Sequence, residues 1–204
     1  MFVCLAAGRG KRMEPLSRYL HKAMIPFFGV PFLAYSLLSI PENSKVVIIV
    51  NYFKDQIYNY FGASYKGRTI QYLTQKNPKG TGDALFQFSR TFRPKSPVII
   101  WQADQMILPN EIDILSTVEP NAGMYSHTPM GCLDLGFWKI KPETLTKLKS
   151  GFDGTEYRAL PVLEKEGLKQ IRIPRRKLEI SHDSWEQIII QCKFLKQKFH
   201  IESH

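Results

Sequence analysis

Val46-Val47-Ile48-Ile49-Val50 and Val98-Ile99-Ile100-Trp101 are apolar at every position, with no polar residue alternating in. A strand with one wet face alternates, whereas a short unbroken apolar run is covered on both faces, as in a mostly parallel sheet. Phe2-Val3-Cys4-Leu5-Ala6 reads the same way, and residues 70–73 supply a fourth strand. Helices are expected near 31–39, 53–61 and 80–91. The last opens on Gly80-Thr81-Gly82-Asp83, where Thr81 or Asp83 is placed to cap the first turn. Strands and helices in alternation predict an α/β fold built from βαβ units. Ligands of such sheets gather at the carboxyl ends of the strands, where the loops at 7–12, 74–80 and 103–105 would meet.

The first of these loops carries chemistry. Ala6-Ala7 runs into Gly8-Arg9-Gly10-Lys11-Arg12, so the backbone can turn sharply and bring its N–H groups close to an anion, with full cations behind. It is not a P-loop, which needs four residues between its glycines and a Gly-Lys-Ser/Thr ending. Nor is it a dinucleotide fingerprint: Met13 stands where a third Gly or Ala is needed, and Asn51 where an acid is needed. Taken alone, the loop suits an ordinary glycine turn beside basic residues as well as a phosphate cradle.

The following residues shift that balance. Arg12-Met13-Glu14-Pro15-Leu16-Ser17, then Lys22-Ala23-Met24-Ile25-Pro26, complete a string that closely resembles the opening signature of the sugar-phosphate nucleotidylyltransferases. Gln75-Lys76-Asn77-Pro78-Lys79-Gly80-Thr81-Gly82-Asp83-Ala84-Leu85 resembles a second segment of that family. After residue 105 the likeness is thinner. Leu135 to Leu145 is similar to a family strand leading into a helix, Leu160 to Gly167 to a later helix before a basic strand, and His182-Asp183-Ser184-Trp185-Glu186-Gln187 to the segment before a closing helix, here 185–198. The resemblance implies a Rossmann-like three-layer α/β/α nucleotidyltransferase fold with a mostly parallel mixed central sheet. It also implies one domain over 1–204, with a nucleotide-binding half (1–105) and a shortened acceptor-binding half (106–204).

Composition is compatible with that reading. The chain of 204 residues is long enough for one sizeable core. Cys4, Cys132 and Cys192 are odd in number and lack metal-type spacing, which argues against a disulfide framework or a zinc site. No signal peptide and no apolar stretch of membrane-spanning length is visible, so a cytoplasmic protein with no membrane partner is expected. The formal net charge is +10. Its densest run, Lys169 to Lys177, alternates with Ile171 and Ile173, as a half-exposed strand and turn would. That favours a solvated face over nucleic-acid binding, and a field of this sign helps polyanionic nucleotides approach.

The resemblance further implies roles. An acceptor phosphate is already ionised at neutral pH, so nucleotidyl transfer needs positioning and charge neutralisation rather than a general base. Arg12 would grip the triphosphate, and Lys22 would bridge acceptor phosphate and α-phosphate. Gln75 would read the base, aided by Gly80 and Thr81, while Leu5, Ala6, Ala7, Gly8 and Gly10 lie along base, ribose and phosphates. Asp104, at the tip of its strand, suits Mg²⁺ through oxygen, though a turn cap is an alternative. Asp183 would be the second metal carboxylate, or it or Ser184 an N-cap. Ala103 stands where the family has glycine, and the family's Glu-Lys-Pro sugar-binding element is missing between Asp104 and Gly136. Tyr125, His127, Asp134, Trp138 and Glu156 are therefore acceptor-pocket candidates by default only. Relatives of this kind are usually dimers or tetramers, implying a homo-oligomer.

The leading function is transfer from an NTP to a sugar 1-phosphate. The short middle segment keeps open phosphocholine, a polyol phosphate or another small phosphorylated acceptor. A molybdopterin guanylyltransferase-like enzyme shares the opening motif. A nucleotide-binding regulatory subunit is the rival from another class, although Arg12, Lys22 and Asp104 together exceed what a sensor needs.

Overall fold

A computed structural model describes residues 1–128 and 131–173. Its strands in chain order are β1 (Phe2–Ala6), the hairpin β2 (Pro26–Phe27) and β3 (Val30–Pro31), β4 (Lys45–Val50), β5 (Ser64–Tyr65), β6 (Arg68–Thr74), β7 (Val98–Gln102), β8 (Ala122–Thr128), β9 (Gly131–Ile140) and β10 (Lys169–Ile173). The helices are α1 (Phe32–Ser39), α2 (Lys54–Phe61), α3 (Thr81–Phe92), α4 (Pro109–Thr117), α5 (Pro142–Lys147) and α6 (Ala159–Lys165). Eight strands form one sheet in the order β10-β8-β9-β7-β1-β4-β6-β5. β7, β1, β4 and β6 are parallel neighbours. β9 runs against both β7 and β8, β10 follows β8 in parallel, and β5 runs against β6. The sheet is thus mixed but mostly parallel, as expected.

The unbroken apolar strands produce two cores, one per face. Phe2, Cys4 and Ala6 of β1 point to the side covered by α1, α2 and α4, where Leu33, Leu37, Ile57, Phe61, Ile112 and Leu115 meet them. Val3 of β1, Val47 and Ile49 of β4, and Val98 and Ile100 of β7 point the other way, against Leu85 and Phe88 of α3, Leu145 of α5 and Val162 of α6. This makes the three-layer α/β/α arrangement. Each large apolar side chain so buried contributes about 1.5–3 kcal/mol of transfer free energy.

The expected strands and helices that fall within the described residues are present, within a few residues at their ends. One expectation fails: neither Thr81 nor Asp83 caps α3. The cap position is Gly80, at φ 98°, with no side-chain cap. Thr81 is already the first helical residue, and its hydroxyl accepts from Ala159 N–H at 3.1 Å, tying α3 to α6. Asp83 is taken up by glutamine amides instead. Helix α4, strand β8 and the β2–β3 hairpin had not been expected. Asp183, Ser184 and the helix expected over 185–198 lie outside the described residues. No described helix is long and apolar enough to cross a membrane.

Candidate active site

A cavity of about 640 Å³ opens at the carboxyl ends of β1, β6 and β7. Leu5, Ala6, Ala7, Gly8, Gly10, Arg12, Lys22, Gln75, Gly80, Thr81 and Asp104 all line it. Leu5 and Asp104, 99 positions apart in sequence, are thus brought to one edge of the sheet. Of the two expected metal carboxylates only Asp104 can be placed; Asp183 lies outside the described residues.

The glycine loop leaves β1 and ends in a turn of 3-10 helix, Lys11–Met13. Met13 is fully buried among Ile25, Phe27, Phe32, Tyr35 and Met106, which anchors the turn and leaves Lys11 and Arg12 exposed at the rim. Gly10 adopts φ +70°, and a Cβ there would stand 3.3 Å from Cβ and Cδ of Lys22. Its lack of a side chain lets the Lys22 stem pass close beneath the loop. Lys22 Nζ then meets Asp104 Oδ2 at 2.5 Å, with the two side chains only 14% and 17% exposed.

His21 holds this lysine in place. Its Nε2–H donates to the Ala6 carbonyl at 2.9 Å, and Nδ1 accepts from Ala23 N–H at 3.1 Å. Its own N–H donates to Gln56 Oε1, whose amide nitrogen donates to Tyr19 O. Burial pushes the imidazole pKa down to about 4, reinforced by Lys22 and opposed by its bond to Ala6 and by Asp104. His21 is thus a neutral strut between the end of β1 and Lys22.

At the opposite end, Gln75 follows β6. Its amide Nε2 donates to Asp83 Oδ2 at 2.6 Å and to Gly80 O at 3.3 Å. Gly80 has no room for a side chain, since a Cβ would come within 2.5 Å of the Tyr157 carbonyl. Tyr157 N–H donates to Lys79 O and Gly82 N–H to Tyr157 O, so the turn at 152–157 is pinned beside the cavity. That turn brings Glu156 to the lining.

Among the described side chains, Glu156 is the one default acceptor candidate that lines the cavity. Tyr125 and Trp138 are buried on the neighbouring strands and Asp134 is half-buried beside them: Trp138 Nε1–H donates to Asp134 Oδ1 at 3.0 Å, and Gly136 N–H does so at 3.2 Å. Burial lifts the Asp134 pKa to about 6, with Glu164 adding to it, and pushes Tyr125 up to about 12. None of the three is among the residues that line the cavity. The side chain of His127 lies outside the described residues.

The lining set is dominated by cations: Arg9, Lys11, Arg12 and Lys22 against Asp104 and Glu156. Such an edge attracts polyanions. Asp104 offers hard carboxylate oxygen in this phosphate-favouring setting, which fits the way Mg²⁺ is held by one or two carboxylates plus substrate phosphates. Among the described residues no group of three His, Cys, Asp or Glu could cage a metal by itself. Ala103 is tolerated because its N–H continues the ladder to Leu5 O at 3.0 Å and its methyl joins the core.

Sequence reasoning missed His21, Tyr52 and Gln102, which also line the cavity. A signal existed for each: His21 directly precedes Lys22, and the other two stand at the carboxyl ends of expected strands.

Comparisons with known proteins agree with this geometry. Residues 1–126 match the family described as nucleotidyl transferase. The bifunctional protein GlmU of Methanococcus maripaludis is 29% identical over 140 residues, covering 66% of this chain and 32% of that protein. D-glycero-alpha-D-manno-heptose 1-phosphate guanylyltransferase of Aneurinibacillus thermoaerophilus is 32% identical over 100 residues, covering 48% and 44%. UTP--glucose-1-phosphate uridylyltransferase AglF of Haloferax volcanii is 34% identical over 85 residues, covering 41% and 35%. The chain thus aligns with a third to under half of the length of these relatives. A solved UDP-glucose pyrophosphorylase in complex with UDP-glucose shares the fold, with TM-score 0.78, 14% identity and coverage of 97% of this chain and 98% of that one. With a family match over more than half its length, the chain belongs to the nucleotidyl transferase family.

Proposed function

We propose that this chain transfers a nucleotidyl group from an NTP to a sugar 1-phosphate, giving an NDP-sugar and pyrophosphate. The observation that carries the reading is the Lys22–Asp104 pair, 2.5 Å long, at the tip of β7 and in one cavity with the glycine loop. Gln75 stands at the end of β6, three strand spacings from β7, or about 14 Å across the sheet. That span accommodates a base at one end and reacting phosphates at the other. The names of the relatives, guanylyltransferase and uridylyltransferase acting on sugar 1-phosphates, support the same chemistry.

In this reading the acceptor phosphate attacks the α-phosphorus in line and pyrophosphate leaves. Lys22 turns from Asp104 towards the phosphates, where its ammonium offsets the repulsion between two anions. Arg12, on the rim, takes oxygens of the leaving end with its planar fork of donors. His21 keeps Lys22 aimed and, being neutral, adds no competing charge. Asp104, with Asp183 on the strength of the resemblance, would hold a divalent ion such as Mg²⁺, which would supply neutralisation of phosphoryl oxygens. Glu156, on the cavity lining, would accept hydroxyl hydrogen bonds from ribose or acceptor.

The test is a screen of each NTP against a panel of phosphorylated acceptors, following pyrophosphate release and identifying products by mass spectrometry. An NDP-sugar from at least one sugar 1-phosphate is expected. Nucleotide binding with no turnover on any pair would replace the enzyme by a binding subunit.

A further inference from the structure

We infer that Asp83 sets which nucleobases the cavity accepts, by committing Gln75 to act as a hydrogen-bond acceptor; this rests on the proposal above that Gln75 meets the base. A glutamine amide is ordinarily ambivalent, with two N–H donors on one atom and a carbonyl acceptor on the other. Here the ambivalence is removed. The two groups around Nε2, the Asp83 carboxylate at 2.6 Å and the Gly80 carbonyl at 3.3 Å, only accept, so nitrogen and oxygen cannot trade places. Both N–H groups of the amide are used.

Asp83 is itself held from the far side, because Gln87 Nε2 donates to the same oxygen, Oδ2, at 2.8 Å. The Gln75 backbone is fixed as well: its N–H donates to Val50 O and its carbonyl accepts from Asn51 Nδ2 at 2.5 Å. The residue is 2% exposed, so rotation of the amide would cost two hydrogen bonds without water to replace them. What it offers the cavity is Oε1.

A fixed carbonyl selects for bases with an N–H on the pairing edge. Uracil and thymine present an imide N–H between two carbonyls, and guanine presents a ring N–H beside an amino group. Cytosine and adenine present a ring acceptor at the same place. Acceptor would face acceptor in a site of low exposure, or the base must shift to bring its amino group across. A site built around one hydrogen-bond polarity rejects the wrong one by well over tenfold.

The experiment measures binding of UTP, dTTP, GTP, CTP and ATP by calorimetry without acceptor, and kcat/KM for each with a sugar 1-phosphate. It compares the unaltered chain with Asp83→Ala and Asp83→Asn. The unaltered chain is expected to favour the best of UTP, dTTP and GTP over CTP and ATP by roughly tenfold or more. Asp83→Ala should collapse that ratio by a similar factor, mainly through KM for the nucleotide. Asp83→Asn should restore it, because Asn Oδ1 can still accept from Gln75 although the charge at the start of α3 is lost as in the alanine variant. A ratio unchanged in Asp83→Ala, no restoration in Asp83→Asn, or an unaltered chain that prefers CTP or ATP overturns the inference. Base-selective binding without turnover would remove the transferase reading and leave the role of Asp83 standing.

Discussion

Asp104 follows β7, and Asp134 lies on β9, the strand hydrogen-bonded to it. The first faces a lysine at 2.5 Å in a cavity lined by cations. The second is half-buried against Trp138 and the Gly136 N–H with Glu164 for its charged neighbour, and its pKa rises to about 6. Two carboxylates at the same end of one sheet thus serve different ends. The β1–β4–β6–β7 side turns its polar groups into the cavity, whereas on the β8–β9 side Asp134 takes its hydrogen bonds from within its own strand. What separates them is the neighbour supplied by tertiary contact.

The largest effect should come from the charged side. Lys22→Ala or Asp104→Ala is expected to lower pyrophosphate release by at least about 10²–10³-fold with circular dichroism unchanged. Retained turnover in either would erase the contrast with Asp134. Next is Gly80→Ala, at the seam where α3 meets the 152–157 turn. Its φ of +98° and the Tyr157 carbonyl 2.5 Å from a new Cβ predict a loss of about 3 kcal/mol in urea unfolding, together with lost nucleotide binding.

The two regions should also oppose each other in pH dependence. His21, held near 4 when folded against an ordinary 6.5, gives stability that is complete above about pH 6.5 and lost as pH falls towards 4. Asp134 acts inversely: its raised pKa means that the fold loses stability as pH rises from about 4 to 6. Asp134→Asn should therefore steepen the rise in stability between pH 4 and 6.5, and above pH 6 exceed the unaltered chain by on the order of 3 kcal/mol. Thermal melts at several pH values measure it, and an unaltered slope would show that Asp134 is not held neutral by burial. The smallest effect belongs to Lys147→Ala. Its pair with Glu166 is also 2.5 Å long, but the side chains are 54% and 26% exposed. Less than about 1 kcal/mol is expected, so burial rather than length would mark out the Lys22 pair.

Much of this was legible in the chain. Unbroken apolar runs require cover on both faces, and the two cores supply it. Gly8, Gly10, Arg12, Lys22, Gln75 and Asp104 were readable because each follows, or resembles a motif that follows, a strand end. The start of α3 was misread, because capping preference is local while Asp83 answers to Gln75 on another element. Strand β8 and helix α4 escaped notice, since Ala122-Gly123-Met124-Tyr125-Ser126 has neither unbroken apolarity nor clean alternation.

By itself the sequence determined a layered, mostly parallel sheet with a cationic glycine loop at its carboxyl edge, because periodicity and backbone freedom are properties of neighbouring residues. Only the tertiary structure decided that Lys22 meets Asp104, that His21 stays neutral and that Asp83 fixes Gln75. Charge state and hydrogen-bond polarity depend on which groups from distant parts of the chain share a dry space, and no local pattern records that.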